Sequence, residues 1–73
     1  MKRLDLHNTS HANAKILIEE FIILNLEKMP VEIITGNSID MLEILNTIIV
    51  KYELSKSPTN FNNLGSYIII DKI

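Results

Sequence analysis

Short apolar runs alternate with polar turn residues along this chain, and the spacing of the apolar positions changes from segment to segment. Leu4 and Leu6 alternate with polar residues, which predicts a first strand over residues 4–7. From residue 11 to about residue 28 the apolar positions recur every three or four residues, which predicts a helix. Residues 31–35 are mostly β-branched and follow Pro30, which ends the helical region, so they predict a second strand.

The second half of the chain predicts another helix and a final strand. Residues 39–53 are amphipathic, with an apolar stripe that we expect to be buried: Met41, Leu42, Leu45, Ile48 and Ile49. Residues 54–63 are rich in Ser, Asn, Thr and Pro and predict a loop, in which Thr59-Asn60-Phe61 is a candidate short edge strand. Gly65 then precedes a strongly predicted strand over residues 66–70.

This order of elements predicts one α/β domain over residues 1–73. A β-α-β-α-(β)-β chain of this length favours a two-layer sandwich, with both helices on one face of a small mixed sheet. The right-handed crossover rule makes the first two strands parallel. Thr9 or Ser10 and, before the second helix, Ser38 are the expected N-caps.

The first helix is apolar on two sides, which a two-layer domain cannot fully cover. One side is formed by Ala14, Leu17, Ile18, Phe21 and Leu24. The other is formed largely by Ala12, Ile16, Ile22, Ile23 and Leu26. This second side indicates either an interface with another copy or a partner protein, or a surface shielded by the loop over residues 54–63. The sequence leaves both open.

Composition narrows the compartment and the class of partner. The chain has no cysteine, which excludes disulfides and thiolate metal sites. It shows no secretory h-region and no apolar run long enough for a bilayer, so we expect a soluble cytoplasmic protein without a membrane partner. Seven basic against nine acidic residues give a net charge of −2, so any nucleic-acid binding must rest on a local site.

The candidate chemistry lies where the first two predicted strands end. In an α/β sheet the carboxyl ends of parallel strands form the binding crevice, and helix N-termini there favour anions. The residues expected at this crevice are Asp5, His7, Asn8, Thr35, Gly36, Asn37 and Ser38. They indicate a phosphodiester site with His7 as acid or base.

Simpler interpretations of the same residues remain open. Asp5 could pair locally, His7 could be an exposed polar residue, and Thr35-Gly36 could be an ordinary turn. His11 has the character of a solvated first-turn residue, and we assign no metal ligands.

Two motifs and a closing glycine resemble one known family. Leu4-Asp5-Leu6-His7 resembles the LDLH motif that opens small MutS-related (Smr) domains, and Ile33-Ile34-Thr35-Gly36 resembles their second motif, written HGxG or TGxG. Gly65 followed by an apolar strand is similar to the family's closing segment. The resemblance implies a β-α-β-α-β-β fold similar to the C-terminal domain of translation initiation factor three. It also implies activity on nucleic acid.

By this resemblance Asp5 and His7 would be the catalytic pair, and Thr35 and the Gly36 amide would hold a phosphate. The chain departs from the family pattern at three loop positions: Asn8, Asn37 and Ser38. The leading hypothesis is an endonuclease acting on nucleic acid, with RNA favoured over DNA and a divalent metal such as Mg²⁺ left open. The alternative is a module that kept the fold, lost the chemistry and binds nucleic acid or protein, with self-association through the first helix.

Overall fold

Six elements follow one another in the predicted order in the computed structural model, which describes residues 1–60 and 62–72. They are the strands and helices β1 (Arg3–Asp5), α1 (His11–Leu24), β2 (Val31–Ile34), α2 (Ile39–Lys51), β3 (Leu54–Asn60) and β4 (Asn63–Asp71). Phe61 lies outside the described residues. Neither helix in the described part of the chain is long and apolar enough to cross a membrane.

The four strands form one mixed sheet in the order β1-β2-β4-β3. β1 and β2 are parallel, as the crossover rule predicts, while β4 is antiparallel to both β2 and β3. Leu4, Ile33 and Tyr67 are paired across the first three strands in that order and therefore lie on the same face. The predicted fold class is confirmed.

One core joins this face of the sheet to both helices. Val31, Ile33 and Ile69 are fully buried and belong to the same apolar cluster as the inner sides of α1 and α2. The predicted stripe of α2 is largely confirmed, with Met41, Leu45, Ile48 and Ile49 buried and Leu42 partly buried. Both helices therefore pack on one face, and among residues 1–60 and 62–72 no helix covers the opposite face.

Serine caps begin both helices as predicted, but α1 ends earlier than the sequence indicates. The Ser10 hydroxyl accepts a hydrogen bond from the Asn13 amide at 3.2 Å, and the Ser38 hydroxyl accepts one from Met41 at 3.1 Å. α1 stops at Leu24 rather than near residue 28 because the side chain of Asn25 turns back to donate to the Phe21 carbonyl at 2.8 Å.

The prediction of a loop over residues 54–63 is wrong. Residues 54–60 form β3, an edge strand paired with β4, and β4 begins at Asn63 rather than at residue 66. Leu54 anchors the strand with 6% of its surface exposed, and Pro58 is tolerated because an edge strand needs hydrogen bonds on one side only. The Ser, Thr, Asn and Pro residues of this segment, which predicted a loop, therefore form a polar edge strand.

The outer side of α1 is exposed, and its inner side differs in part from the predicted stripe. Ala14 and Ile18 are fully buried as expected, and so is Ile22, which was assigned to the other side. Leu17 and Leu24 were expected inside and are 39% and 69% exposed. Ile16, Ile23 and Leu26 are also exposed. Because residues 54–60 pair with β4 and pack on α2, they do not form the shielding loop that was one of the two alternatives.

On the face of the sheet opposite the helices, the carboxylate of Glu32 hydrogen-bonds to the other three strands. Glu32 alternates with the core residues of β2 and so points to this face, yet only 8% of its surface is exposed. It accepts hydrogen bonds from Ser66 at 2.6 Å, Arg3 at 2.7 Å and Thr59 at 3.1 Å. Since these partners lie on β4, β1 and β3, one side chain connects all four strands.

Protonating Glu32 should destabilise the domain. Hydrogen bonds from Ser66 and Arg3 hold the pKa of this carboxyl below its ordinary value. The contribution of Glu32 to the free energy of unfolding is therefore complete above the ordinary glutamate pKa. It is lost as the pH falls through the pKa of Glu32 in the folded protein. Urea unfolding across the acid range should show this loss in the wild type, and Glu32→Gln should flatten the pH dependence.

Glu19→Gln is the matched control. The pKa of Glu19 is also lowered, by hydrogen bonds from Lys51 and Tyr52, but this cluster is more exposed and more strongly screened by solvent. We expect the control to flatten the acid dependence less. Identical pH slopes for Glu32→Gln and the wild type would contradict the assignment.

Candidate functional site

Two loops leave the same edge of the sheet side by side. The Leu6 amide donates to the Ile34 carbonyl at 2.9 Å, so the pairing of β1 with β2 continues to the point where both strands end. Residues 7–10 follow β1 and residues 35–38 follow β2, and each loop leads into a serine-capped helix. The candidate residues are thus brought to adjacent loops, as the sequence predicts for parallel neighbours.

The first loop is a tight turn that holds His7 at the surface. The Asp5 carboxylate accepts a hydrogen bond from the backbone amide of His7 at 2.9 Å, and the Thr9 amide donates to the Leu6 carbonyl at 3.0 Å. His7 and Asn8 are exposed. Asn8 has a φ of 62°, a left-handed conformation that asparagine adopts more readily than most residues. This explains how asparagine can stand where the family pattern has glycine.

In the second loop Thr35 and Gly36 are engaged by the protein itself. Thr35 is 4% exposed, and its hydroxyl lies 3.0 Å from the Gly36 carbonyl oxygen and 3.3 Å from that of Gly65. The Gly65 carbonyl also accepts the Thr35 amide at 2.8 Å and the Gly36 amide at 3.0 Å. A phosphate on the Gly36 amide would have to replace this bond, so that role stays a prediction.

The two glycines of the chain meet at this loop for different reasons. Gly36 has a φ of 69°, and a Cβ there would meet nothing within 4 Å. A Cβ on Gly65 would stand 2.9 Å from the Gly36 carbonyl oxygen. Glycine is therefore required at residue 36 by conformation and at residue 65 by close approach of two backbones.

The two loops line separate hollows on the surface. Asn8 lines a hollow of about 370 Å³ together with Ser10 and Asn13 of the helix start. Residues 36–38 line another of about 210 Å³, walled by apolar residues of α2 and β4. The structure therefore brings the loops to one edge but does not place all the candidate residues in one cavity.

The available donors do not form a metal site within residues 1–60 and 62–72. No three side chains among His, Cys, Asp and Glu come together there in a way that could hold a metal ion. We therefore derive no step through a metal. Asp40 in the first turn of α2 adds negative charge near the second loop.

Two features of the structure were not foreseen from the sequence. Glu32 appeared as one charge within an apolar strand, and a charged residue flanked by β-branched residues is the signal that could have revealed it. Leu64 was placed in no predicted element, yet it lines the second hollow with Tyr67. Because the segment before Leu64 is polar, the sequence gives little indication that Leu64 lines a hollow.

Comparison of the chain with protein-family models, curated proteins and solved structures finds no significant match in any of the three. The likeness to Smr domains therefore rests on the short motifs alone.

Alanine and asparagine substitutions should affect the free energy of unfolding in opposite orders at the two glycines. At Gly36, asparagine should be tolerated better than alanine, because alanine in a left-handed conformation costs about 1–2 kcal/mol. At Gly65, alanine should lower the free energy of unfolding by about 1–3 kcal/mol through overpacking, and the larger asparagine should lower it further. Urea unfolding of the four variants measures both orders. The same ranking at both positions would contradict the two distinct roles.

Proposed function

We propose that this domain binds RNA at the edge formed by the two loops and cleaves the phosphodiester backbone there. The supporting observation is the exposed His7, held in a turn by Asp5, beside a second loop that opens a helix. Asn8 in the first loop and Asn37 and Ser38 in the second supply polar groups along this edge, and the N-termini of both helices favour a phosphate there. Thr35 and Gly36 contribute by holding the second loop on Gly65.

RNA is the preferred substrate because it carries its own nucleophile. The His7 imidazole takes the proton of a 2′-hydroxyl, whose oxygen attacks the adjacent phosphorus. The bond from phosphorus to the 5′-oxygen breaks, and water donates a proton to that oxygen. The products are a 2′,3′-cyclic phosphate and a 5′-hydroxyl. This route needs one positioned base, which the first loop supplies.

Asp5 acts in this proposal as a positioning residue. One of its carboxylate oxygens accepts the backbone amide of His7, which fixes the turn that carries the imidazole. Asparagine offers an acceptor of the same shape at the same place. For positioning His7, the hydrogen-bond acceptor of Asp5 is therefore more important than its negative charge.

The charge of the chain sets the strength and location of binding. With a net charge of −2, non-specific affinity for RNA should be weak and sensitive to salt. The absence of cysteine is compatible with the reducing cytoplasm, and we place the activity there.

Cleavage of structured and single-stranded RNA should depend on His7 and not on His11. We expect His7→Ala to slow cleavage by about 10²- to 10⁴-fold, the usual contribution of a general base. His11→Ala is the matched control, because His11 is also exposed but begins α1. Asp5→Ala should slow cleavage, whereas Asp5→Asn should restore most of it.

The outcomes separate cleavage from binding. Equal cleavage by His7→Ala and wild type would overturn the catalytic role. RNA binding without cleavage by the wild type would leave the alternative, a module that kept the fold and lost the chemistry. No salt-sensitive binding of RNA or DNA would remove both.

The exposed side of α1 supports a second candidate function, self-association. Ile16 is 62% exposed and Ile23 is 51% exposed, and Leu26, just beyond the end of α1, is 37% exposed. Clustered apolar surface of this kind marks protein interfaces. We propose that this side of α1 contacts another copy of the chain.

Sedimentation analysis at increasing concentration tests this interface. The mean mass should rise with concentration in the wild type and return to that of a monomer in Ile16→Glu and Ile23→Glu, because a buried charge opposes association. Val50→Glu is the control, since Val50 is 76% exposed on α2. A wild type that stays monomeric, or an equal effect of the control, would rule the interface out.

A further inference from the structure

An apolar pocket lies directly beside the second loop. It has a volume of about 210 Å³, and residues 36–38 form one of its walls. Ile39 and Leu42 of α2 and Leu64 and Tyr67 of β4 contribute the apolar lining. We call these four residues and the loop wall the Leu64 pocket.

We propose that the Leu64 pocket binds one unstacked base of a single-stranded RNA whose phosphate lies against residues 36–38. This inference rests on the proposed function, because it names what the RNA places next to its phosphate. It adds a binding subsite and a preference for single strands.

The position of the pocket favours a base. A base is joined through its sugar to the adjacent phosphate, so a strand held at residues 36–38 brings a base to the wall that these residues share with the pocket. Single-stranded RNA is commonly bound by placing unstacked bases on apolar and aromatic surface. Asn37 is exposed at this wall and its amide can both donate to and accept from a base edge.

The exposed apolar side chains of the pocket also favour the binding of a ligand. Ile39 is 74% exposed and Leu64 is 64% exposed, although both are large apolar side chains that gain free energy when covered. Tyr67, by contrast, is 5% exposed and belongs to the core, so it forms a rigid floor of the pocket. The pocket is therefore firm on one side and open to solvent on the other.

A cation that contacts one lining residue of the pocket favours an anionic occupant over an uncharged peptide. The Nζ atom of Lys56 lies 4.6 Å from the centroid of the Tyr67 ring. In a chain of net negative charge, this ammonium group offers a place for a neighbouring phosphate of the same strand. An apolar peptide would make no use of it.

The test compares an intact strand with one that lacks its bases. The probes are a single-stranded 2′-O-methylated RNA of about eight nucleotides, which resists cleavage, and an abasic strand of equal length and charge. We expect the intact strand to bind wild-type protein about 5- to 150-fold more tightly at equal salt, which corresponds to about 1–3 kcal/mol for a stacked base. A duplex of the same sequence should bind as weakly as the abasic strand.

Three variants locate the effect. Ile39→Ser and Leu64→Ser alter exposed side chains, so they should leave the fold intact, and each should weaken binding of the intact strand but not of the abasic strand. Val50→Ser is the matched control, since it removes an equally exposed apolar side chain of α2 outside the pocket lining. It should change neither affinity.

The outcomes distinguish the pocket from the function on which it rests. Equal binding of intact and abasic strands would overturn the base subsite and leave the phosphodiester edge standing. Failure of both strands to bind at low salt would overturn the proposed function as well. Loss of self-association in Ile39→Ser and Leu64→Ser, with RNA affinity unchanged, would assign the pocket to a second copy of the chain and overturn the inference.

Discussion

The geometry of the edge formed by the two loops depends on the carbonyl oxygen of Gly65. It accepts the amides of Thr35 and Gly36, and the Thr35 hydroxyl lies within hydrogen-bond distance of it. These contacts fasten the end of β2 to the start of β4 and thereby fix the direction in which the chain enters α2. They fit together because Gly65 carries no Cβ, which would collide with the backbone of Gly36. The second loop, its helix start and the Leu64 pocket all take their positions from this contact.

Two different kinds of interaction hold the two faces of the sheet. The helix face is a continuous apolar core, in which residues such as Ile18, Ile33 and Leu45 are fully buried. The other face has no helix, and there Glu32 joins partners from the three other strands. A small chain without cysteine has no disulfide to add, so this carboxylate stabilises a face that apolar burial leaves uncovered.

The sequence predicts the element order and the edge, because periodicity and capping are local properties. Ser10 and Ser38 cap the helices where expected, and the parallel pairing of β1 with β2 follows from the crossover rule. The predicted edge strand at residues 59–61 was too short, and β3 begins already at Leu54, because an edge strand needs little apolar sequence and tolerates Pro58. The orientation of α1 was only partly predictable, since apolar residues on all sides of a helix do not indicate which side meets the sheet. The engagement of Gly36 by Gly65 joins residues far apart in sequence, so no local pattern reveals it.

The central claim is that RNA meets this domain where β1 and β2 end. Titration of ¹⁵N-labelled protein with a single-stranded, 2′-O-methylated RNA, followed by amide chemical shifts, tests it residue by residue. The account predicts that the largest changes occur at His7, Asn8, Asn37 and Ser38 and diminish as salt is added. Shifts confined to the exposed side of α1, around Ile23, or no shifts at low salt, would contradict it.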